Sequence, residues 1–272
     1  MQKYLSLVLV CIYSSHADAQ RSIDSMIQAE EKFANTAMVV STREAFIKFI
    51  DASGIVFDDG KPVNGLELYT KSERRPGVLS WEPEYAEIAS TNDFGYTTGP
   101  WSYYANSVKE KPVATGYFVT VWHLTQSGWK FLIDFGISCT PENKKKALKK
   151  RHAGSLKSPK AIGQSCTDAE QKFIHEYAAQ GVGAYASALS SQSRINYAGF
   201  RPATNAEQRK ALLDSLPRNI NYTIIGSGMS PAKDLGYVYG AAVTNDKQDG
   251  YLRIWRKEKE GWRIAVEVLH FK

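Results

Sequence analysis

Apolar residues recur at helical spacing early in the chain. Phe33, Ala37 and Val40 lie three to four residues apart, as do Phe46 and Ile50, the stripe that one face of a helix buries. Ser25-x-x-Gln28 and Ser41-x-x-Glu44 read as capping boxes for these two helices. The period then changes to two. Gly54–Asp58 predicts a short strand, and Tyr117–Leu124 with Trp129–Phe135 predicts a hairpin turning at Ser127-Gly128. After residue 166 the same order returns. Thr167-x-x-Glu170 opens a helix carrying Phe173 and Tyr177, and Arg194–Ala198 is a short strand. Thr204-x-x-Glu207 opens another helix, and Tyr251–Arg256 with Trp262–Leu269 closes the chain as a hairpin.

The return is a repeat of sequence as well as of pattern. Ala29-Glu30-Glu31-Lys32-Phe33 matches Ala169-Glu170-Gln171-Lys172-Phe173 at an offset of 140 residues. Asp93-Phe94-Gly95-Tyr96-x-x-Gly99 matches Asp234-Leu235-Gly236-Tyr237-x-x-Gly240 at 141, which sets Trp81 opposite Tyr222. Trp122 matches Trp255, and Gly128-Trp129-Lys130 matches Gly261-Trp262-Arg263, at 133. The change of offset is a difference in one hairpin loop. A tandem duplication follows, with domains at 20–138 and 167–272 and a linker at 139–166. Helices first and antiparallel strands after predict an α+β class with helices on one sheet face. In the repeated motif, Gly95 and Gly236 offer positive φ or a bulge, and Gly99 and Gly240 offer a kink or close backbone approach.

The formal charge is +6, which raises the question of a nucleic-acid partner. From Thr140 to Gln164, however, eight Lys and Arg face one glutamate, so the excess belongs to the linker and not to a domain face. The sequence therefore predicts no nucleic-acid partner and a basic, flexible, solvated strap, with attachment to an anionic surface as the alternative. Lys3, the apolar run Tyr4–Tyr13 and Ala17-Asp18-Ala19 read as a signal peptide over 1–19, cleaved near Ala19-Gln20. This predicts export, to a periplasm or outside the cell, and no membrane span follows. In an exported chain Cys139 and Cys166 are expected to pair across the linker. No metal-ligand spacing, phosphate loop or Gly-x-Ser-x-Gly elbow occurs, so no metal and no cofactor is predicted.

Gly-Tyr-x-x-Gly, then Tyr117-x-Val119-x-Val121-Trp122, then Gly128-Trp129-Lys130 and a strand ending in Asp134 resemble the NTF2-like superfamily. Within it, the chain is most similar to the SnoaL-like and DUF4440-type branch. The resemblance covers both copies. It implies two tandem cystatin/NTF2-like cone domains, each a strongly bent antiparallel sheet wrapped around N-terminal helices. It also implies an internal pseudo-dimer, since many members pair through the sheet. The superfamily contains isomerases, dehydratases, cyclases and non-catalytic modules, so the resemblance leaves function open.

Asp134 is the candidate catalytic residue. A carboxylate inside an apolar cone has a raised pKa and can act as a general base. Strict alternation sets it with Lys130 and Leu132, opposite Trp129, Phe131, Ile133 and Phe135. That leaves a surface pair with Lys130 as the alternative. Glu267 holds the corresponding place in copy two, where Arg253 and Arg256 enter the neighbouring strand and are expected to keep it ionised. Trp81, Tyr96, Trp101 and His123, with Tyr222, Tyr237, Tyr239 and Glu267, are the candidate ligand-binding residues; core packing is the alternative for the aromatics. Three functions remain open: a pocket for a small apolar or aromatic ligand, a dehydratase, isomerase or cyclase using Asp134, or a structural module with filled cones.

Overall fold

The computed structural model describes residues 21–74, 76–140, 146–154, 165–217, 219–245 and 247–271. The proposed signal peptide lies outside them. The first half opens with α1 (Ile23–Val39) and α2 (Thr42–Phe49). Ser22 caps α1 and Ser25 at its third position returns the bond, so α1 starts three residues earlier than the Ser25 box predicts. Ser41 caps α2 as expected. Then come β1 (Ile50–Asp58), β2 (Lys61–Asn64), α3 (Gly65–Lys71), β3 (Val78–Trp81), β4 (Tyr85–Ile88), β5 (Phe94–Tyr104), β6 (Ala114–Thr125) and β7 (Gly128–Ser138). A short strand, β8 (Lys149–His152), follows.

The second half repeats this plan more sparsely. Its elements are α4 (Cys166–Gln180), a 3-10 turn at Gly181–Ala184, α5 (Tyr185–Ala188), β9 (Leu189–Tyr197), α6 (Ala206–Asp214), β10 (Asn221–Met229), β11 (Leu235–Thr244), β12 (Lys247–Glu258) and β13 (Gly261–Leu269). Ser165 with Asp168 caps α4, two residues before the Thr167 box, and Asn205 caps α6. The α+β class is observed in both halves. The first sheet runs β2-β1-β7-β6-β5-β4-β8 with β3 beside β5, and the second runs β10-β11-β12-β13-β9. In each, the strand after the helices pairs in parallel with the last strand of the meander, β1 with β7 and β9 with β13, while the meander itself is antiparallel.

Each sheet has two covered faces. In the first, α1 and α2 cover one face, burying Met26, Phe33, Phe46, Trp122 and Phe131. The other face carries Tyr96, Val119, Val121, Ile133 and Phe135, which pack with Tyr237, Leu252, Ile254, Val266 and Val268 of the second sheet. Phe94 stacks on Tyr237 at 6.2 Å, and Phe57 stands edge-on to Tyr239. Polar groups cross this boundary in matched pairs, as buried polar groups require. Arg256 Nη1 donates to Glu87 Oε2 at 2.9 Å, Arg194 Nη1 to Glu84 Oε1 at 3.0 Å, and the Ser90 amide to Asp234 Oδ2 at 2.9 Å.

The repeated motif does a specific job. The positive φ falls on Asn92 (55°) and Lys233 (54°), one residue before each Asp, and not on Gly95 or Gly236. The Asp carbonyls accept from the amides of Leu124 and Lys257, tying the turn to the next strand. A Cβ on Gly95 would stand 2.6 Å from Met26 Sδ, and one on Gly236 2.7 Å from Cys166 Sγ. These glycines let the first turn of α1 and of α4 lie against the sheet. Gly99 and Gly240 allow the close backbone approach that the sequence suggested: their Cβ atoms would lie 2.0 and 1.9 Å from the carbonyls of Glu82 and Thr223.

The linker departs from expectation. Lys149–His152 pairs in parallel with β4 at the sheet edge, and Lys150 pairs with Asp24 at 2.5 Å. Part of the basic strap is thus a strand fixed to the first domain.

Candidate functional site

The site is set by one extra residue in β7. Val121 pairs with Ile133 and Trp122 with Phe131, leaving Leu132 as a bulge. A bulge of this kind reverses the alternation beyond it. Phe131 therefore stacks on Phe33 of α1, while Ile133 and Phe135 turn to the other sheet. Asp134 comes round to the helix side instead of sharing a face with Lys130 and Leu132. Lys130 Nζ donates to the Lys48 carbonyl, so the surface pair does not form.

Asp134 and Gly136 line a cavity of about 260 Å³ walled by Phe46, Phe57, Tyr69, Leu79, Trp81, Trp101 and Phe118. Tyr69, Leu79 and Trp101 also border an outer cleft of about 420 Å³ that includes Arg43, Asp58 and Glu73. The Trp101 indole lies flat because β6 and β7 carry glycine beneath it. A Cβ on Gly116 would stand 2.6 Å from its ring, and one on Gly136 3.4 Å from Nε1. Trp101 Nε1 is buried and has no hydrogen-bond partner among the described residues. The cavity thus presents one carboxyl, that of Asp134, within largely apolar and aromatic walls.

Burial pushes the Asp134 carboxyl up to about 7; the hydrogen bond from Thr120 opposes the shift and the charge of Glu30 adds to it. Thr120 Oγ1 donates to Asp134 Oδ2 at 2.8 Å. Glu30 lies deeper, fully buried on α1. Its carboxyl accepts from Trp81 Nε1 at 2.5 Å, from Trp122 Nε1 at 2.9 Å and from Thr97 Oγ1. Burial raises its pKa, against the pull of these donors. Among the described residues neither carboxyl has a cationic partner.

The second cone has the same frame with different contents. Ala265 is the matching bulge, since Ile254 pairs with Val266 and Trp255 with Ile264. Glu267 faces the helices and Glu170 stands where Glu30 does. Between them lies Arg253, fully buried, donating to Glu170 and, at 2.8 and 3.0 Å, to Glu267 Oε1. Tyr185 adds a bond to Glu267 at 2.7 Å and Trp255 one to Glu170 at 2.8 Å. The expected pairing of Glu267 with arginine is present, through Arg253. The expected fall in its pKa is not, because burial outweighs Arg253 and the carboxyl shifts upward.

The other expected site residues divide by face. Trp81 and Trp101 line the cavity. Tyr96 donates to Glu87 at 2.8 Å on the inter-sheet side, where Tyr237 and Tyr239 also lie. Tyr222 packs in the second core over Arg253. His123 pairs with Asp51 at 2.9 Å near the surface. Cys139 and Cys166 are free thiols and not a disulfide. Cys139 lies in the inter-sheet core, whereas Cys166 starts α4 and points at the carbonyls of Gly228 and Tyr237. Glu30 was missed by the sequence reading, although it shares the stripe of Met26, Phe33 and Ala37, where a carboxylate stands out.

No family model matches the chain, and no curated protein matches it in sequence. Several solved structures are similar to it. A de novo designed protein with a curved β-sheet is 15% identical, with a TM-score of 0.34 over 39% of this chain and 99% of that one. A ketosteroid isomerase-like protein from Erwinia carotovora atroseptica is 13% identical, with a TM-score of 0.33 over 38% and 91%. An NTF2-like protein of unknown function from Shewanella oneidensis is 18% identical, with a TM-score of 0.33 over 42% and 96%.

Proposed function

We propose that the first cone binds a small apolar or aromatic molecule and that the second is its structural counterpart. The two act as an internal pseudo-dimer in an exported protein of SnoaL-like, DUF4440-type character. The observation that carries the reading is the apolar, aromatic-walled cavity beside Asp134. Pockets for small ligands combine apolar walls with a few placed polar groups, and this cavity does so. The face-to-face sheets and their ion pairs support the pseudo-dimer. A second reading, proton transfer by Asp134 on a bound substrate, is favoured by a carboxyl held near neutrality. The test is fluorescence titration with an environment-sensitive aromatic dye against Gly136→Val. The added side chain would fill the cavity with little backbone cost, so dye binding should be lost while the fold is kept. Unchanged dye binding in the variant would overturn the reading.

A further inference from the structure

The two cones are copies of one frame, and the frame of the second is occupied by a side chain of this same protein. Arg253 stands at the position of Thr120 in the repeat, and its guanidinium fills the space between two buried carboxylates. Three rings surround it: Phe173 at 4.3 Å, Tyr222 at 4.1 Å and Tyr251 at 4.8 Å from its central carbon. This is an aromatic cage with an acidic floor, the arrangement that holds organic cations.

Every element of that cage has a counterpart in the first cone. Phe33, Trp81 and Phe118 correspond to Phe173, Tyr222 and Tyr251, and Glu30 and Asp134 correspond to Glu170 and Glu267. The rings are assembled there as well: Phe33 meets Trp81 at 4.7 Å and Trp81 meets Phe118 at 6.4 Å. The cation is missing, because Thr120 is too short to supply one, and Trp81, in the place of Tyr222, donates its Nε1–H to Glu30. A cavity bordered by Asp134, Trp81 and Phe118 lies on the Asp134 side of this frame, while Glu30 takes its bonds from Trp81, Trp122 and Thr97. Arg43, at the outer cleft, is held by the carbonyls of Ser72 and Thr70 and by Glu44, outside the inner cavity.

We propose that the first cone takes an organic cation, a guanidinium or ammonium group on an apolar or aromatic body, with the charged group against Asp134 between the aromatic walls. The proposal rests on the reading of this cone as a small-molecule pocket and adds the charge of its ligand. Arg253 in the second cone shows the geometry of such a group within the same frame. A cation against Asp134 also supplies the counter-charge that this carboxyl lacks among the described residues, as Arg253 does for Glu267. A buried carboxylate without a counter-charge is costly, and a ligand that supplies the charge gains from that cost.

The experiment compares two near-isosteric probes, phenethylguanidinium and phenethylurea, by calorimetric titration of the full chain. Phenethylguanidinium should bind at least about tenfold more tightly, and Asp134→Asn should remove that preference. Thr120→Arg should supply the cation internally and abolish phenethylguanidinium binding; it serves as the second variant if Asp134→Asn does not fold. Equal or tighter binding of the neutral urea, displaced by the aromatic dye, would overturn the cationic proposal and leave the pocket standing. Binding of neither probe, together with dye binding that survives Gly136→Val, would overturn the pocket reading and this inference with it.

Discussion

Thr120 and Arg253 occupy one register in two related sheets, each directly across the ladder from an acidic residue, Asp134 for the first and Glu267 for the second. This difference puts a buried cation between Glu170 and Glu267 in the second cone and none at Asp134 among the described residues of the first. It predicts that Arg253→Met is severe. The substitution leaves Glu170 and Glu267 buried with no counter-charge, and breaking a buried ion network from one side costs about 3–5 kcal/mol. Urea unfolding should show a loss of this size, partly restored when Glu267→Gln is added. A loss below about 1 kcal/mol would mean that water reaches these carboxylates.

Asp134 should make stability depend on pH. Its folded pKa is about 7, above that of an exposed aspartate. The proton is therefore held more tightly in the folded protein. The resulting stabilisation is complete below the unfolded pKa and is lost as pH rises through about 7. Asp134→Asn lacks this term. Its stability relative to the parent should rise between about pH 4 and pH 7 and level off above. Because Asp134 is half-buried and borders a cavity, solvent reduces the effect to about 1–2 kcal/mol. Urea midpoints for both proteins across this range provide the measurement, and a constant difference would contradict the assignment.

The inter-sheet pair Glu87–Arg256 should hold the two halves together. Glu87 is fully buried and also receives the hydroxyls of Tyr96 and Tyr85. Arg256→Leu should fall toward the lower end of about 3–5 kcal/mol, because it leaves Arg151, 3.3 Å from Glu87 Oε1, as the remaining cation at that carboxylate. The double variant Glu87→Leu/Arg256→Leu should cost less than the single change. Limited proteolysis should cut the single variant between the halves sooner than the parent.

Cys139 and Cys166 should titrate as thiols. Burial pushes Cys139 up to about 11 and Cys166 up to about 12, so neither is nucleophilic at neutral pH. A thiol reagent should reach neither Cys139 nor Cys166 in the native protein and both after denaturation without reductant, with Cys11 counted in addition where residues 1–19 are retained. Recovery of fewer would mean that they pair during folding.

Much of the fold was legible because the repeat states it twice. The closing hairpins, the short strand after the helices and the places of α1, α2, α4 and α6 follow from apolar period, capping residues and matched Trp and Gly, whereas α3, α5 and the parallel pairing of β1 with β7 and of β9 with β13 do not. The site was legible only in part. Asp134 could be singled out as a carboxyl in an apolar strand, but its face could not, because the bulge at Leu132 leaves no sequence signature. Trp81 and Trp101 reach the cavity while Tyr96, Tyr237 and Tyr239 reach the other sheet. Alternation separates two faces without saying which one the helices cover. Strand β8 was hidden because its residues, Lys149–His152, have no apolar period; their order comes from backbone pairing to an open edge and from acidic partners.

The glycines of the repeated motif give a graded test of how closely the chain is packed. A methyl on Gly99 would stand 2.0 Å from the Glu82 carbonyl, and one on Gly240 1.9 Å from that of Thr223. Both obstacles are backbone atoms, which move only if a strand moves. A methyl on Gly95 meets the Glu87 carbonyl at 2.5 Å and the flexible end of Met26 at 2.6 Å. A methyl on Gly136 meets only Trp101, at 3.4 Å and beyond, with cavity beside it. Overpacking of this kind costs about 1–3 kcal/mol, and the cost should follow what is displaced. Gly99→Ala and Gly240→Ala should lie at the top of that range, Gly95→Ala below them, and Gly136→Ala near zero. Gly99→Ala should also act on the site, since Trp101 follows two residues later on β5 and would be carried with the displaced strand. Dye affinity should therefore fall with Gly99→Ala and hold with Gly240→Ala, although the two lose similar stability. Equal effects on binding would show that the dye is not held in the first cone.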